Sequence, residues 1–399
     1  MDLTSQHAFW LIRNGVGEVP APLPSNCRCE VVVIGAGIIG ALIANALTAA
    51  GLFVIVIDRR YPGHGSTSAS TALLQYEIDT HLTDLIDKLG LERAVDAYQA
   101  CVEGVASVER LAGELEDVGF RRRPSLYYAS RSRDVKVLRK EGAARRRALL
   151  PCEVLEEKDV SKLVDFGAPL ALWSEIGGEV DPWRLTYALL ARCATRDFAL
   201  YGRTEALDIM TTKTGVEVGT NRGRIHAQHI IVAAGYESER FLPKRVAKLH
   251  SSYALITEPV KAFEGWSQRC LIWESARPYL YARTTSDNRV LVGGEDIPFR
   301  DSSHRDARVP AKASTLIDKV RRLFPRIEME PAYAWAGTFG ETKDGLAYIG
   351  AHPGGDARVH YALGYGGNGI TFGAIAAEVL TAAVLNKPHR YRDTFAFDR

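Results

Sequence analysis

The sequence lacks the features that mark membrane proteins and secreted proteins. No stretch of about 18 apolar residues runs without a charge, so we expect no membrane span. The N-terminus carries no basic segment followed by an apolar one, which is the pattern of a secretory signal. Both absences predict a soluble, cytoplasmic protein.

Cysteine is scarce and scattered. The chain has six cysteines, and only Cys27 and Cys29 lie close together. A C-x-C pair without a second pair does not have the spacing of a zinc site, and scattered cysteines do not suggest a disulfide framework. We therefore predict reduced, mostly buried thiols and no bound metal.

The chain also has little net charge. Its 50 lysines and arginines nearly balance its 48 acidic residues, which leaves a net charge of +2. This balance gives no reason to expect a nucleic-acid or membrane partner, and the basic residues between Arg121 and Arg147 are explained by a solvated surface. With 399 residues, of which 46% are hydrophobic, the chain predicts two or three domain-sized units with a large core.

What the sequence does contain is a βαβ pattern near its N-terminus. Residues 29–34 (CEVVVI) form an apolar, β-branched run that ends in glycine, which is typical of a buried strand. Residues 38–50 are rich in alanine, leucine and isoleucine and stop at Gly51, which predicts a helix with a glycine cap. Residues 52–57 (LFVIVI) predict a second buried strand.

The turn between the first strand and the helix has the G-x-G-x-x-G spacing of a dinucleotide-binding turn. Gly35 permits the tight turn, Gly37 lets backbone N–H groups approach a pyrophosphate, and Gly40 lets the helix pack closely on the strand. Asp58 ends the second strand, where a carboxylate accepts hydrogen bonds from ribose hydroxyls. Glycine turns are common, but the register of this one with both strands, the helix and Asp58 predicts nucleotide binding.

The segment after the second strand favours FAD over NAD. An NAD-binding unit would continue to a third strand, whereas residues 65–68 (GSTS) open a polar turn into a helix. Two further nucleotide-type segments lie far downstream, at residues 229–235 (HIIVAAG) and 364–371 (GYGGNGIT). Their return to the same kind of turn predicts one nucleotide-binding domain interleaved with a second, more antiparallel domain.

Several motifs together resemble the D-amino-acid oxidase and sarcosine oxidase superfamily of FAD-dependent oxidoreductases. They run from residue 31 to 373 in the family's order, and two of the more specific ones are AWAGTFGETKDGLAYIG and LGYGGNGITFG. The glycine oxidase and γ-glutamylputrescine oxidase branches are the most similar. The resemblance implies an α/β fold with a Rossmann-like FAD-binding domain, interleaved with an α+β substrate domain built on a mainly antiparallel sheet.

We divide the chain on this basis into an N-terminal arm and two discontinuous domains. The arm covers residues 1–29. The FAD-binding domain covers residues 30–100, 181–249 and 335–399, and the substrate domain covers residues 101–180 and 250–334.

The resemblance also implies which residues hold the cofactor. Those for the ADP half are Gly35, Gly37, Ile38, Ile39, Gly40, Asp58, Arg59, Ser66, Thr67, Ala206, Ala233, Ala234 and Gly235. Those beside the pyrimidine side of the flavin ring are Gly366, Gly367, Asn368, Gly369, Ile370 and Thr371. A helix beginning near Gly369 would direct its positive end toward the reduced flavin's negative charge. The cysteine that links flavin in sarcosine oxidases has no counterpart in ETKDGLAYIG, which predicts non-covalent FAD.

The chain departs from the family where relatives grip an amino-acid carboxylate. Phe339 stands where glycine oxidase has an arginine, and Thr371 stands where sarcosine oxidase has a lysine. A buried carboxylate without a cation is costly, so the usual clamp is missing. Arg283 is the candidate substitute, and a structural ion pair at a strand end is its alternative role.

The remaining candidates for the substrate pocket are mostly aromatic. Tyr279 matches a substrate-facing tyrosine of glycine oxidase and is, with Arg283, the candidate catalytic residue. Aromatic rings would form a cage for a cationic or apolar amine, although ordinary core packing would equally explain Tyr281 and Trp335. The other pocket candidates are Gln75, Tyr76 and Phe339.

The predicted reaction is oxidation of the C–N bond of an amine or amino acid, by hydride transfer to flavin N5 and hydrolysis of the imine. Leu291 matches the lysine by which sarcosine oxidases speed reaction with O2, so the electron acceptor is either O2 or another molecule. Two alternatives stay open. One is an FAD-dependent 2-hydroxy-acid dehydrogenase, and the other is a flavin subunit of a larger dehydrogenase complex.

Overall fold

The computed structural model describes residues 2–5, 7–194 and 196–399. Its helices are α1 Phe9–Asn14, α2 Ile38–Ala49, α3 Ser66–Ala69, α4 Leu82–Leu89, α5 Leu91–Gly113, α6 Val135–Arg147, α7 Glu157–Val160, α8 Pro182–Arg192, α9 Ser302–Asp306, α10 Val309–Leu323 and α11 Gly369–Val384. Short 3-10 helices lie at Ser132–Asp134, Gly235–Phe241 and Ser267–Arg269.

The strands form three sheets. They are β1 Cys27–Ile34, β2 Val54–Ile57, β3 Leu73–Gln75, β4 Arg121–Arg122, β5 Ser125–Tyr128, β6 Glu153–Glu156, β7 Leu170–Ser174, β8 Gly177–Glu179, β9 Phe198–Tyr201, β10 Ala206–Thr211, β11 Val216–Thr220, β12 Arg224–Val232, β13 Lys248–Thr257, β14 Leu271–Glu274, β15 Leu280–Thr284, β16 Val290–Pro298, β17 Pro331–Glu341, β18 Tyr348–Ala351 and β19 Val359–Leu363.

The first sheet is built around parallel strands that are buried on both faces. β1 pairs in parallel with β2 on one side and with β12 on the other. All four residues of β2 are buried, as the continuous apolar run predicts for a strand covered on both faces. β12 is long enough to pair with antiparallel β11 through its first half and with parallel β19 through its last three residues.

Another parallel strand of the first sheet, β9, comes from a distant part of the chain. β9 lies beside β2 in parallel register, with Val54 opposite Phe198 and Ile57 opposite Tyr201. More than a hundred residues separate the two strands in sequence, and these include the helices α3 to α8. The chain therefore leaves the first sheet after β2 and returns to complete it, as an interleaved fold requires.

Helices α2 and α11 cover one face of the first sheet and contact each other closely. A Cβ added at Gly373 in α11 would lie 2.6 Å from Cδ1 of Ile39 in α2, so a larger residue at this crossing would displace the Ile39 side chain. Both helices are apolar almost all round, which is typical of helices buried on several sides. Their N-termini, at Ile38 and Gly369, each follow a glycine-rich turn.

The second sheet has the order β17-β13-β16-β15-β14-β5-β7-β6. Its neighbours pair antiparallel except β14 and β5, which are parallel. Helix α10 packs on it through Leu316, Ile317 and Val320, which share a buried cluster with Tyr253 and Val292. A three-stranded sheet, β3-β8-β4, completes the fold, so the predicted fold class is confirmed.

Two local features differ from the pattern of the sequence. Helical patterning dominates from Thr83 to about Glu116, and the structure divides this stretch into α4 and α5, because Gly90 adopts a φ of +83° between them. The polar turn at residues 65–68 predicts a helix from near Ser70, whereas α3 covers Ser66–Ala69 and the chain then continues as β3. β3 pairs with β8, so a sheet contact sets the backbone there.

The two-domain division stays a prediction, but several of its boundaries fall inside continuous elements. The boundary at 100/101 lies within α5, the one at 249/250 within β13 and the one at 334/335 within β17. The predicted arm ends with residues 27–29, which already belong to β1. Its helix α1 is not detached, because Trp10 is buried and its Nε1 donates to the carbonyl of Ser70.

None of the helices in the described part of the chain is both long enough and apolar enough to cross a membrane.

Candidate active site

An extended cavity lies between the first and second sheets and is lined from both. One part, which we call the nucleotide end, is lined by the turns that follow β1, β2 and β12. The other part, which we call the aromatic end, is lined by Trp273, Tyr279, Tyr281, Trp335 and Phe339, together with Gln75, Asp79 and Ser252. The turn at residues 366–370 also lines the cavity, at the start of α11.

The glycine turn at the nucleotide end has the geometry that its sequence predicts. Gly35 has a φ of +115°, and an added Cβ would lie 2.5 Å from the carbonyl oxygen of Ala233. An added Cβ at Gly40 would lie only 1.8 Å from the carbonyl oxygen of Gly35. Gly35 and Gly37 line the cavity and Gly40 lies behind them, so the first two face a ligand and the third packs the helix against the turn.

Asp58 fixes the turn as well as facing the cavity. Its Oδ2 accepts a hydrogen bond from the backbone N–H of Ala36 at 2.8 Å, and its Oδ1 accepts one from the N–H of Arg60 at 2.8 Å. Burial raises the pKa of Asp58, and both N–H groups oppose that effect. Each carboxylate oxygen has a second lone pair, so the carboxylate can also accept from a ribose hydroxyl.

Ser66 and Thr67 do different things, although both line the cavity. The Oγ1 of Thr67 accepts a hydrogen bond from the backbone N–H of Ile38 at 3.0 Å and so ties α3 to the first turn of α2. The Oγ of Ser66 is buried and has no hydrogen-bond partner in the described part of the chain. A buried hydroxyl without a partner, facing a cavity, is well placed to contact a bound phosphate.

The turn before α11 meets the loop after β3. Asn368 donates from Nδ2 to the carbonyl of Glu77 at 2.5 Å, and the N–H of Gly367 donates to Oδ2 of Asp79 at 3.3 Å. The hydroxyl of Thr371 donates to the carbonyl of Gln75 at 3.1 Å, and Thr371 does not line the cavity. Thr371 thus holds the two segments together instead of facing a ligand.

The other predicted cofactor residues line the nucleotide end or the turn before α11. They are Ile38, Ile39, Arg59, Ala206, Ala233, Ala234, Gly235, Gly366, Gly369 and Ile370. Together with the glycine turn and the unpartnered Ser66 hydroxyl, they fit an extended dinucleotide such as FAD.

Five of the predicted substrate residues meet at the aromatic end: Gln75, Tyr279, Tyr281, Trp335 and Phe339. The ring centres of Tyr279 and Tyr281 are 5.7 Å apart. Burial raises the pKa of Tyr279 well above its ordinary value, and the nearby Asp79 and Asp296 add to the effect. The Tyr279 hydroxyl therefore keeps its proton and can donate a hydrogen bond at neutral pH.

Arg283 does not line the cavity, which corrects its assignment as a substrate clamp. Its Nε donates to the carbonyl of Thr71 at 2.6 Å, and its two Nη atoms donate to the carbonyls of Thr284 and Val180 at 3.0 and 3.1 Å. Its side chain is 2% exposed and lies 4.0 Å from the Glu179 carboxylate. Since these groups occupy the guanidinium, Arg283 has the structural role that the sequence left open.

Tyr76 and Leu291 also lie away from the cavity. Tyr76 is buried, and its hydroxyl donates to the carbonyl of Pro151 at 2.8 Å. Leu291 belongs to a buried cluster that includes Trp10, Trp183 and Trp335. Successive residues of a strand face opposite sides, and the side of β16 that carries Leu291 faces this cluster. Leu291 therefore gives no information about reactivity with O2.

Three residues of the aromatic end were missed in the sequence: Asp79, Ser252 and Trp273. Trp273 stacks on Tyr127, with ring centres 3.7 Å apart, and its Nε1 donates to the hydroxyl of Ser125 at 3.0 Å. Asp79 lies in a loop without a recognisable motif, and Ser252 and Trp273 lie on strands that read as ordinary sheet. Their only sequence signal is a polar or aromatic residue in an otherwise apolar segment.

Asp296 lies beside the aromatic end and was missed as well. Burial raises the pKa of its carboxyl to about 6, against the opposing effect of the Ser252 and Tyr279 hydroxyls. Its Oδ1 is buried without a hydrogen-bond partner among the described residues. Burial also raises the pKa of Asp79, while Arg277 lowers it. Two carboxyl groups thus stand near the same group of aromatic rings.

The cations that line the cavity belong to the nucleotide end. Across the described ranges, the basic residues in the lining are Arg59, Arg60 and Arg240. Arg59 and Arg60 pair with Glu237, and Arg240 pairs with Glu205 at 2.8 Å. Within the same ranges, no lysine, histidine or cysteine lines the cavity, and no group of three or more His, Cys, Asp or Glu side chains is arranged to hold a metal ion.

Comparison with known proteins agrees with this geometry. Residues 30–383 match the model of a family described as FAD dependent oxidoreductase. Glycine oxidase of Geobacillus kaustophilus is 26% identical over 82% of this chain and 85% of its own length. Gamma-glutamylputrescine oxidoreductase of Escherichia coli is 23% identical over 94% of this chain and 87% of its own length.

A solved structure shows the same fold. The crystal structure of glycine oxidase from Geobacillus kaustophilus superposes with a TM-score of 0.77 at 21% identity, covering 91% of this chain and 96% of that one. At this identity the match establishes the fold and leaves the substrate open.

Proposed function

Because this chain belongs to the family of FAD-dependent oxidoreductases that its residues 30–383 match, we propose that it oxidises the C–N bond of an amine or an amino acid. Bound FAD supplies the hydride acceptor, at flavin N5, and water then hydrolyses the imine product. The protein's part is to bind the nitrogen compound, to orient it and to keep bulk water away from the reacting carbon.

We propose that FAD is held without a covalent bond. Cysteine and histidine are the side chains that most often link flavin to proteins, and neither lines the cavity within the described ranges. The groups available for binding are the glycine turn, Asp58, the Ser66 hydroxyl and the turn at residues 366–370. All of these hold a dinucleotide through backbone N–H groups, hydroxyls or a carboxylate.

The observation that carries the proposed reaction is the composition of the aromatic end. Five aromatic rings line it, with the Gln75 amide, the Ser252 hydroxyl and the Asp79 carboxylate as its polar groups. Aromatic faces and a carboxylate suit a nitrogen compound that enters as a cation. A 2-hydroxy acid would instead bring a carboxylate to an end of the cavity whose described lining offers no cation to pair it, so this alternative is disfavoured.

The protein also restricts movement within this end. Trp335 is 1% exposed, and its Nε1 donates to the carbonyl of Ala69 at 2.9 Å, which fixes its ring. Trp273 is fixed by its stacking on Tyr127 and its bond to Ser125. Rigid, apolar walls exclude water and limit the orientations that a bound amine can take.

An anaerobic reduction screen tests the proposal. The purified flavoprotein is mixed with alkylamines, diamines, amino acids or 2-hydroxy acids, and loss of the flavin's visible absorbance is followed. We expect bleaching by at least one nitrogen compound and none by 2-hydroxy acids. Bleaching by hydroxy acids alone would refute the proposal. Admitting air after reduction then separates an oxidase, which reoxidises quickly, from a dehydrogenase.

A further inference from the structure

We propose that Asp79 binds the positively charged group of the substrate, and that this substrate is therefore a cationic amine without a carboxylate. The inference rests on the proposed function, since it names the substrate class of the same cavity. It adds a specificity-determining residue that none of the motifs in the sequence identifies.

The position of Asp79 places its carboxylate inside the cavity. Asp79 follows β3 and lines the aromatic end, and its Oδ2 lies against the turn that precedes α11. The N–H of Gly367 donates to this oxygen at 3.3 Å, and a Cβ added at Gly367 would lie 2.9 Å from it. A side chain at position 367 would therefore push the Asp79 carboxylate away from the turn.

The carboxylate of Asp79 has no cationic partner among the residues that the structure describes. It makes no ion pair of 4.0 Å or less with any of them. The cation that lowers the pKa of Asp79 is Arg277, whose guanidinium carbon lies 4.6 Å from the ring centre of Tyr279. Arg277 is exposed and is not part of the cavity lining. The cavity side of Asp79 is thus left for a ligand.

The surroundings of Asp79 match a cation better than an anion. Tyr279, Tyr281 and Trp273 line the same space as Asp79, and aromatic rings attract cations. Asp296 stands behind Tyr279 with one buried oxygen that has no hydrogen-bond partner in the described ranges. Two carboxyl groups and several aromatic rings would repel a substrate carboxylate, since no cation stands among them in the described lining of this end.

Arg283 is a buried arginine whose positive charge could have offset the negative charge at the aromatic end. Its guanidinium is taken up by three backbone carbonyls, and it lies outside the cavity. On β17, Phe339 lines the cavity and brings no charge to it. The aromatic end is therefore negative or neutral, and a cationic ligand would compensate the cost of burying the Asp79 carboxylate.

Ligand binding to the oxidised holoenzyme tests the inference without relying on turnover. Tetramethylammonium carries a positive charge but has no lone pair on nitrogen, so it cannot lose a hydride to form an iminium ion or an imine. Its binding is measured by the change in the flavin absorbance spectrum, beside tert-butyl alcohol as a neutral ligand of similar shape and acetate as an anion. We expect the cation to bind at least about tenfold more tightly than either. Equal binding, or tighter binding of acetate, would overturn the inference.

Two substitutions at Asp79 assign the preference to this residue. Asp79→Asn removes the charge but keeps an oxygen for the Gly367 N–H, and we expect the Kd for tetramethylammonium to rise at least about tenfold. Asp79→Glu keeps the charge and should retain most of the affinity. Glu341→Gln is the matched control, because Glu341 acts on Asp79 electrostatically but does not line the cavity. An unchanged Kd in Asp79→Asn, with normal FAD content, would refute the assignment.

The outcomes distinguish this inference from the proposed function. If amines reduce the flavin but the cation preference is absent, the proposed function stands and the inference fails. If the cation preference depends on Asp79 but no nitrogen compound reduces the flavin, the inference about binding stands and the proposed reaction fails. The comparison of tetramethylammonium with tert-butyl alcohol in the unmodified protein needs no variant, so a poorly folding variant would not block the test.

Discussion

Arg283 shows how a buried charge can belong to the scaffold of a cavity without touching its ligand. Burial lowers its pKa to about 10, and Glu179 and Asp181 oppose that effect. The arginine joins β15 to the loop before β3 and to the end of β8, since its partners are the carbonyls of Thr71, Thr284 and Val180. These segments surround the aromatic end, so the arginine fixes the walls of the cavity from outside.

We expect Arg283→Met to destabilise the protein and to leave substrate selectivity unchanged. The change removes a hydrogen-bond donor from three carbonyls and a cation near Glu179, which should cost about 3 kcal/mol. Thermal unfolding measures this loss, and the ratio of flavin reduction rates with amines and amino acids measures selectivity. Arg122→Met, at an exposed ion pair, is the control. A selective loss of amino-acid substrates in Arg283→Met would restore a substrate role.

Gly40→Ala tests the packing of the glycine turn. An added methyl group would overlap the carbonyl oxygen of Gly35, since a Cβ at this position would lie 1.8 Å from that oxygen. We expect a loss of about 3 kcal/mol or more in unfolding free energy, together with weaker FAD binding. Gly113→Ala, at the end of α5 with no described atom within 4 Å of the new methyl, should be neutral or slightly stabilising. Normal FAD content in Gly40→Ala would contradict the account.

At the scale of single residues, the sequence shows where the backbone needs a glycine turn better than it shows what a side chain contacts. Gly35, Gly37 and Asp58 could be assigned because their spacing reflects a fixed turn geometry. Asp79 and Asp296 could not be found, because a single carboxylate in a loop or strand has no pattern. Arg283 was misplaced for the same reason, since only the three-dimensional positions of three carbonyls show what occupies it.

At the scale of elements, α4 depends on a carboxylate that belongs to another helix. Glu141, in α6, accepts hydrogen bonds from the backbone N–H groups of Leu82 and Thr83 at 2.9 and 3.0 Å. These are the first N–H groups of α4, which lack partners within their own helix. Arg145, one turn further along α6, donates from Nε to Oε1 of Glu141 at 2.7 Å. The two helices are therefore joined by a buried, charged cap.

We expect Glu141→Gln to destabilise the protein by about 2–4 kcal/mol at neutral pH. Burial raises the pKa of Glu141, but Arg145, His81 and the Thr83 N–H outweigh it and lower the pKa below its ordinary value. A lowered pKa adds stability above the unfolded pKa, and this stability is lost as the pH falls through the folded value. The difference between wild type and variant in urea unfolding should thus shrink below about pH 4.5.

An exposed ion pair provides the control for this helix cap. Glu156→Gln removes a carboxylate that pairs with Arg139 at 2.6 Å on the surface, and it should leave the unfolding midpoint unchanged within error. If Glu141→Gln were equally neutral, or if its effect did not change with pH, the carboxylate could not be the cap that the structure indicates.

Helices and strands with a clear apolar pattern were predictable from the sequence, whereas the points at which a helical pattern breaks were not. β1, α2 and β2 follow from apolar runs bounded by glycine, and α11 follows from a long apolar segment after a glycine turn. The break at Gly90 and the short β3 were missed, because the flanking residues continue a helical pattern. At β3 the pairing with β8 overrides local preference, and at Gly90 a positive φ separates the two helices.

At the scale of the whole molecule, FAD binding and substrate binding depend on one interleaved chain. The parallel sheet receives strands from three separate stretches of the chain, and the antiparallel sheet receives its strands from the two stretches between them. The cavity lies where the two sheets meet, so the nucleotide end and the aromatic end form a single site. Sequence motifs predict this interleaving because nucleotide-type turns recur along the chain. The exact boundaries depend on long strands such as β13 and β17 and could not be read locally.

One measurement tests the central claim most directly. The oxidised flavoprotein is mixed anaerobically with a limiting amount of an amine that bleaches it, and the reduced flavin, the carbonyl product and the released nitrogen compound are quantified. We expect one carbonyl product and one released nitrogen compound for each flavin reduced, with intact FAD recovered in solution after denaturation. Flavin that stays oxidised with every amine and amino acid, or a protein that releases no FAD, would contradict the account.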